Sequence, residues 1–226
     1  MDITLTNIGK RYNYEWIFHK VNYEFTGDNN YVILGSNGSG KSTLLQVITG
    51  NIIQSEGEIS YKIPSLRLNA ENKNKNTGVE IPDSATEIDT DTIFRHLSFA
   101  SPYLDLFDEF TLTESIEFQA RFKPFYKDLD TKSIIALTQL EKAKDKQLKQ
   151  YSSGMKQRVR LALAILCDTP LLLLDEPTSN LDKKAIDWYQ NLINDYSQNR
   201  LIIVCSNQQE YEYPFCNKEL HIEDYK

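Results

Sequence analysis

Residues 35–42 read Gly-Ser-Asn-Gly-Ser-Gly-Lys-Ser, a complete G-x-x-x-x-G-K-S pattern. Gly35, Gly38 and Gly40 allow the backbone to curl, so that successive amides across Ser36, Asn37 and Ser39 point into one concavity. A helix opening at the end of the loop adds its positive N-terminal end, and the two together make a nest for phosphate oxygens. Lys41 supplies a mobile positive charge for β- and γ-phosphates, Ser42 a hydroxyl that ligates Mg²⁺, and Thr43 a hydroxyl placed for an α- or β-phosphate oxygen. The bland alternative is a glycine-rich turn, but the apolar run 31–34 before the loop and the helix-compatible run 42–48 after it supply the confirming context. A magnesium-bound nucleoside triphosphate is the expected ligand.

A second constellation complements the first. Residues 171–176 read Leu-Leu-Leu-Leu-Asp-Glu, a buried strand ending in two carboxylates. Asp175 is placed to join the Mg²⁺ shell, and Glu176, pointing the other way, to orient and activate an attacking water. Between the two lies the run 151–158, Tyr-Ser-Ser-Gly-Met-Lys-Gln-Arg. Ser152, Ser153 and Gly154 fall where a helix begins, so free amides and hydroxyls there can receive an anion. A plain serine N-cap is the simpler reading of that run taken alone.

Together these residues resemble the nucleotide-binding subunits of ATP-binding-cassette (ABC) proteins. The run 151–158 is similar to that family's signature region, usually LSGGQ followed by a basic helix. Residues 177–182, Pro-Thr-Ser-Asn-Leu-Asp, are similar to its D-loop. The motif order spans nearly the whole chain. The resemblance implies an α/β fold of the P-loop NTPase type, with a RecA-like mixed core, an antiparallel β subdomain and an inserted helical subdomain. It also implies ATP and Mg²⁺ as cofactors, with Ser152, Ser153 and Gly154 meeting the γ-phosphate bound by a second, head-to-tail protomer and Asp182 communicating across that interface. Residues 9–12, Gly-Lys-Arg-Tyr, resemble the segment whose aromatic stacks on adenine, which makes Tyr12 the choice and Trp16 the second.

Beyond Ser153 and Met155, which stand where the signature has Gly and Gln, two positions depart from the family pattern. Aligned back from residues 111–114, the place of the family's loop glutamine falls at Ser101 or Pro102. The switch histidine is expected about 32 residues past Asp175, and 175 + 32 reaches Asn207. An asparagine amide can still donate one hydrogen bond to a γ-phosphate but cannot become cationic, so turnover is expected to be slower than the family's pattern gives. Glu176, Lys41 and Asn207 are the expected catalytic set.

These residues need a scaffold. Alternating apolar positions at Ile3 and Leu5, at Val21, Tyr23 and Phe25, and at Ile59, Tyr61 and Ile63 predict half-buried strands of an antiparallel sheet. The continuous runs 31–34, 171–174 and 201–205 predict strands buried on both faces of a parallel sheet. Helical patterning is expected over 112–149 and again after Asp182, with Ile186, Tyr189, Ile193 and Tyr196 on one side. The stretch 69–91 reads as a solvated loop, and 128–150 as a solvated helical face. One domain over 1–226 is expected, with a core at about 1–100 and 156–226 and a helical subdomain at about 101–155.

Composition bounds the partners. The 226 residues carry 25 Lys and Arg against 32 Asp and Glu, a net charge of −7, which argues against direct nucleic-acid binding. The longest apolar run, 161–167, is far short of the about 18 residues a spanning helix needs. Three scattered cysteines, Cys167, Cys205 and Cys216, read as reduced residues of a cytoplasmic protein. The resulting expectation is an ATP-hydrolysing ABC transporter subunit, peripheral on the inner membrane face. It dimerises, with a homodimer favoured, and drives a separate integral-membrane permease, with residues 103–110 as the docking stretch. A soluble ABC ATPase without a transport role and a regulatory ATP-binding subunit with little turnover are the alternatives.

Overall fold

The computed structural model describes residues 1–64, 85–126 and 129–226. Strands β1 (Asp2–Tyr12), β2 (Glu15–Phe25), β4 (Glu56–Ile63) and β5 (Thr86–Ile88) form an antiparallel sheet in the order β2-β1-β4-β5. Its register pairs Ile3 with Phe25 and Tyr61, and Leu5 with Tyr23 and Ile59, so the alternating apolar positions read from the sequence meet across neighbouring strands.

The second sheet is parallel, in the order β6-β7-β8-β3-β9, from β3 (Asn30–Leu34), β6 (Leu97–Ala100), β7 (Leu171–Asp175), β8 (Leu201–Ser206) and β9 (Lys218–His221). Every residue of β7 and β8 is buried. Their side chains alternate between two cores. Val32, Leu172, Leu174, Ile202 and Val204 pack with the helices α4 (Ser153–Ile165) and α5 (Lys183–Tyr196), whereas Ile33, Leu171, Leu173 and Ile203 pack with α1 (Lys41–Ile48) and the antiparallel sheet. Burial on both faces is why these strands read as solid apolar runs.

The helical patterning expected over 112–149 resolves into α2 (Leu112–Ala120) and α3 (Thr131–Thr138), followed by short 3₁₀ turns at Glu141–Ala143 and Leu148–Gln150. Pro124 falls between the helices, and Gln139 closes α3 in the left-handed region at φ 57°. The apolar period persists across both breaks because Ile134, Ile135, Leu140, Ala143 and Leu148 all enter one core. Helix α4 runs through residue 155, where the helical subdomain was expected to close. In α5, Tyr189 and Ile193 are buried as expected, but Ile186 and Tyr196 are only half-buried, and Ala185, Trp188 and Leu192 complete the apolar face.

The solvated loop expected over 69–91 lies outside the described residues up to position 84, and its end forms the edge strand β5. The expected helical face 128–150 likewise begins outside them, at Asp128. Among the described residues, no helix is long and apolar enough to cross a membrane.

Candidate functional site

The phosphate loop leaves β3 and turns into α1, which starts at Lys41. Gly40 holds the tightest point of that turn, with φ at +106°, and a Cβ there would lie 2.7 Å from the Cγ2 of Ile17. Lys41 is buried, and its Nζ donates to the carbonyls of Gly35 and Ser36 at 2.8 and 3.0 Å. The lysine thus lies folded across the mouth of its own loop. Ser39 Oγ, in the floor of the loop, is buried and makes no hydrogen bond within the chain. An orphaned hydroxyl beside an inward-folded cation is what a loop built for an oxygen-rich anion leaves behind when its acceptors come from the ligand. The outer shoulder is held from far along the chain, since Ser36 N and Oγ donate to Glu223 Oε1 at 3.0 and 2.5 Å. These bonds lower the Glu223 carboxyl below its ordinary range.

Asp175 ends β7 against this loop. Ser42 Oγ donates to its Oδ1 at 3.0 Å, and Ser101 Oγ donates to its Oδ2 at 3.1 Å. Burial pushes the Asp175 carboxyl up, while the bonds from Ser42 and Ser101 and the charge of Lys41 oppose that rise. The hydroxyl of Ser42 and the carboxylate of Asp175 are hard oxygen ligands of the kind Mg²⁺ takes together with phosphate oxygens. They are the pair that would hold it.

Glu176 follows in the left-handed region at φ 42°. It is fixed there because its own N–H donates to Cys205 O at 3.0 Å and Ser179 N donates to its carbonyl at 3.0 Å. The turn aims Glu176 into a cleft of about 320 Å³ lined also by Ile17, Asn37, Gly38, Gly40, Lys41, Ser42, Thr43 and Tyr103. Ile17 has no motif to mark it in the sequence, and Tyr103 was expected only in the docking stretch 103–110. Ile17 stands next to Trp16 in the alternating strand β2, and only the contact between the two sheets brings it over Gly40. Tyr12 and Trp16 are not in that lining. Tyr12 ends β1 nearly half exposed, with Lys10 Nζ 5.0 Å from its ring centroid.

The signature and D-loop residues gather elsewhere. Ser152, Ser153, Gly154 and Asp182 line a separate cleft of about 380 Å³ with Leu140, Met155, Arg158, Asn180, Leu181 and Ala185. Ser152 caps α4, accepting from Met155 N at 3.3 Å, and Asp182 caps α5, accepting from Ala185 N at 2.8 Å. Both simple capping readings therefore hold geometrically. Gly154 is required by contact, because a Cβ there would approach Asn180 O to 2.8 Å. Gln157 Nε2 also donates to Pro177 O at 3.0 Å, seating the signature helix on the turn that follows Glu176.

Asn207 follows β8 directly, half-buried, with its carbonyl accepting from Gln209 Nε2 at 3.3 Å. Beside it, Glu212 is buried against Thr178 and Ser206 and gave no local sequence signal.

A glycine-cradled loop between strand and helix, backed by a parallel sheet and a strand-end carboxylate, defines a P-loop nucleoside triphosphatase. The family model described as ABC transporter matches residues 18–179, and the chain belongs to that family. Within it the chain is an ATP-binding subunit of the ATPase type. It is 28% identical to the Bacillus subtilis ABC transporter ATP-binding protein YybJ over 97% of this chain and 92% of that one. It is 31% identical to the Thermotoga maritima energy-coupling factor transporter ATP-binding protein EcfA1 over 93% and 74% of the two chains. Its fold matches the dimeric structure of an ATP-binding cassette in a post-hydrolysis state with ADP and Pi, at a TM-score of 0.73 and 22% identity, covering 98% and 94%.

Proposed function

We propose that this chain binds and hydrolyses Mg-ATP as one half of a head-to-tail dimer, and that closure on ATP and reopening after hydrolysis drive a separate integral-membrane permease from its cytoplasmic face. The observation carrying this reading is that one chain presents two clefts with no residue in common. One holds the phosphate loop and Glu176, and the other holds Ser152 to Gly154 and Asp182. Each is half of a nucleotide site, and a second copy turned head to tail supplies the missing half to both. The same set of residues in each copy favours a homodimer.

In this reading Lys41 exchanges the carbonyls of Gly35 and Ser36 for β- and γ-phosphate oxygens, Ser39 and Thr43 add hydroxyl donors, and Tyr12 stacks on the base. Ser42 and Asp175 would hold Mg²⁺, which would supply charge neutralisation at the phosphates. Glu176 accepts a hydrogen bond from the attacking water and draws off its proton, and Asn207 donates its amide to the γ-phosphate. Closure is favoured while the γ-phosphate bridges the two copies and is lost when it leaves. The segment 103–110 suits the permease contact. Tyr103 and Phe107 are mostly exposed, and the loop is tied to the signature helix by Arg160 Nε donating to Leu104 O at 2.7 Å and by the Lys156 to Asp108 ion pair at 2.6 Å.

The deciding experiment is the Mg-ATPase rate of the purified chain against its own concentration, beside Glu176→Gln. A rate rising more than linearly and abolished in Glu176→Gln is the expected result. A strictly linear rate from a chain that sediments as a monomer with ATP bound overturns the dimer. Asn207 gives weight to a second reading, a regulatory subunit that binds ATP with little turnover. Retained ATP binding without hydrolysis, with activity appearing in Asn207→His, would favour it.

A further inference from the structure

We infer that Glu212 is a positioning residue for hydrolysis, holding the turn that carries Glu176 and the turn that carries Asn207 at a fixed separation. The inference rests on the catalytic reading of Glu176 and Asn207 given above. Glu212 sits in the 3₁₀ turn Glu210–Glu212, well past the end of β8, yet its side chain is buried at 4% exposure. Both carboxylate oxygens are committed. Oε1 accepts from Thr178 Oγ1 at 2.6 Å and from Thr178 N at 3.3 Å, and Oε2 accepts from Ser206 Oγ. Thr178 lies two residues after Glu176, and Ser206 immediately precedes Asn207.

The carboxylate is therefore a bridge between two turns that are each held in an unfavourable backbone state. Glu176 has φ 42°, and Gln208, next to Asn207, has φ 58°. Such conformations persist only where surroundings over-determine them. Ser206 Oγ extends the bridge by accepting from Gln209 N at 3.1 Å, which fixes the far side of the Asn207 turn. The bridge is itself anchored, because Tyr189 OH donates to Glu212 O at 2.8 Å. Pro177, between Glu176 and Thr178, accepts from Gln157 of the signature helix at 3.0 Å, so the same turn also carries the seat of α4. The side-chain hydrogen-bond partners of Glu212, Thr178 and Ser206, do not line the phosphate cleft, so an effect on turnover can be separated from an effect on nucleotide binding.

The test is steady-state Mg-ATPase together with equilibrium binding of ATP for Glu212→Ala, Glu212→Gln, Ser206→Ala and the double variant Glu212→Ala/Ser206→Ala. Glu212→Ala is expected to lower kcat about tenfold or more while ATP affinity stays within about twofold. Glu212→Gln is expected to retain turnover within about threefold, since its amide oxygen accepts from Thr178 and its nitrogen donates to Ser206 Oγ. The double variant is expected to be no slower than Glu212→Ala alone. An unchanged kcat in Glu212→Ala, a parallel loss of kcat and ATP affinity, or a Glu212→Gln as slow as the alanine overturns the proposal. If Glu212→Ala does not fold, Ser206→Ala decides: kcat falling with affinity kept supports the bridge, and kcat unchanged overturns it. Turnover surviving in Glu176→Gln overturns the catalytic reading and this inference with it, whereas turnover lost there but kept in Glu212→Ala overturns this inference alone.

Discussion

Ser101 Oγ donates to Asp175 Oδ2 at 3.1 Å, on the oxygen opposite the one that Ser42 occupies. Ser101 stands directly after β6, at the place where the family resemblance calls for a glutamine. The shorter hydroxyl side chain thus reaches the carboxylate itself and leaves Asp175 bracketed by two serines in a buried setting.

Removing one bracket tests its worth. A hydrogen bond to a charged group contributes about 1.5 to 3 kcal/mol, and about 1.4 kcal/mol is tenfold in an equilibrium constant. Ser101→Ala is therefore expected to raise the Mg²⁺ concentration needed for half-maximal ATPase by about tenfold or more. A magnesium titration at saturating ATP reads it directly, and an unchanged midpoint would show that Ser101 carries no share of the Asp175 charge.

The neutral amide at the switch position sets the second expectation. Replacing a neutral hydrogen bond with a charge-assisted one gains about 1 to 1.5 kcal/mol, or roughly tenfold in rate. Asn207→His should raise kcat by about that factor below pH 6.5, where the imidazole is charged, and by less above it. The pH profile of kcat for both chains is the measurement.

Tyr12 and Trp16 are separable by the ligand used. Stacking on a base is worth about 1 to 3 kcal/mol by alanine substitution, so Tyr12→Ala should weaken ATP binding about five- to a hundredfold. Binding of inorganic triphosphate, which has no base, should not move. If Trp16→Ala gives this pattern instead, the base lies over the second aromatic.

Glu212 also predicts how stability depends on pH. Burial, ahead of every other influence, raises its carboxyl above the ordinary 4.5, while hydrogen bonds from Ser206 and Thr178 pull the other way. A carboxyl raised on folding holds its proton more tightly in the folded chain. Its contribution to stability is therefore complete below the unfolded value and is lost as pH rises through the folded one. Glu212→Gln lacks this loss. Its melting temperature relative to the parent chain should accordingly shift in the variant's favour as pH rises above about 4.5, and a gap constant with pH would refute the assignment.

The phosphate loop was legible in sequence because its chemistry is local. Three glycines, a lysine and a serine must be near neighbours for one loop to wrap phosphates. Asp175 was legible because a solid apolar run that ends in two carboxylates stands out beside a phosphate-loop motif. The partners of these residues were not legible. Thr178 meets Glu212 across 34 residues and Ser36 meets Glu223 across 187, and no period or motif links positions that only the folded sheet brings together. Helix boundaries in the 112–149 region failed for a related reason. Apolar spacing reports which residues enter the core, and here the core accepts them from helices, 3₁₀ turns and the breaks between them alike.

The order of the parallel sheet has a consequence for synthesis. β3, which launches the phosphate loop, is flanked by β8 and β9, the last two strands to be made. His221 comes 187 positions after Leu34. At about 5 to 20 residues per second, the loop waits on the order of 10 to 40 s for both neighbours to leave the ribosome. During that interval the emerging chain has a phosphate-loop sequence but no completed sheet to hold it. A phosphate loop held by its completed sheet therefore exists only after β8 and β9 have been made.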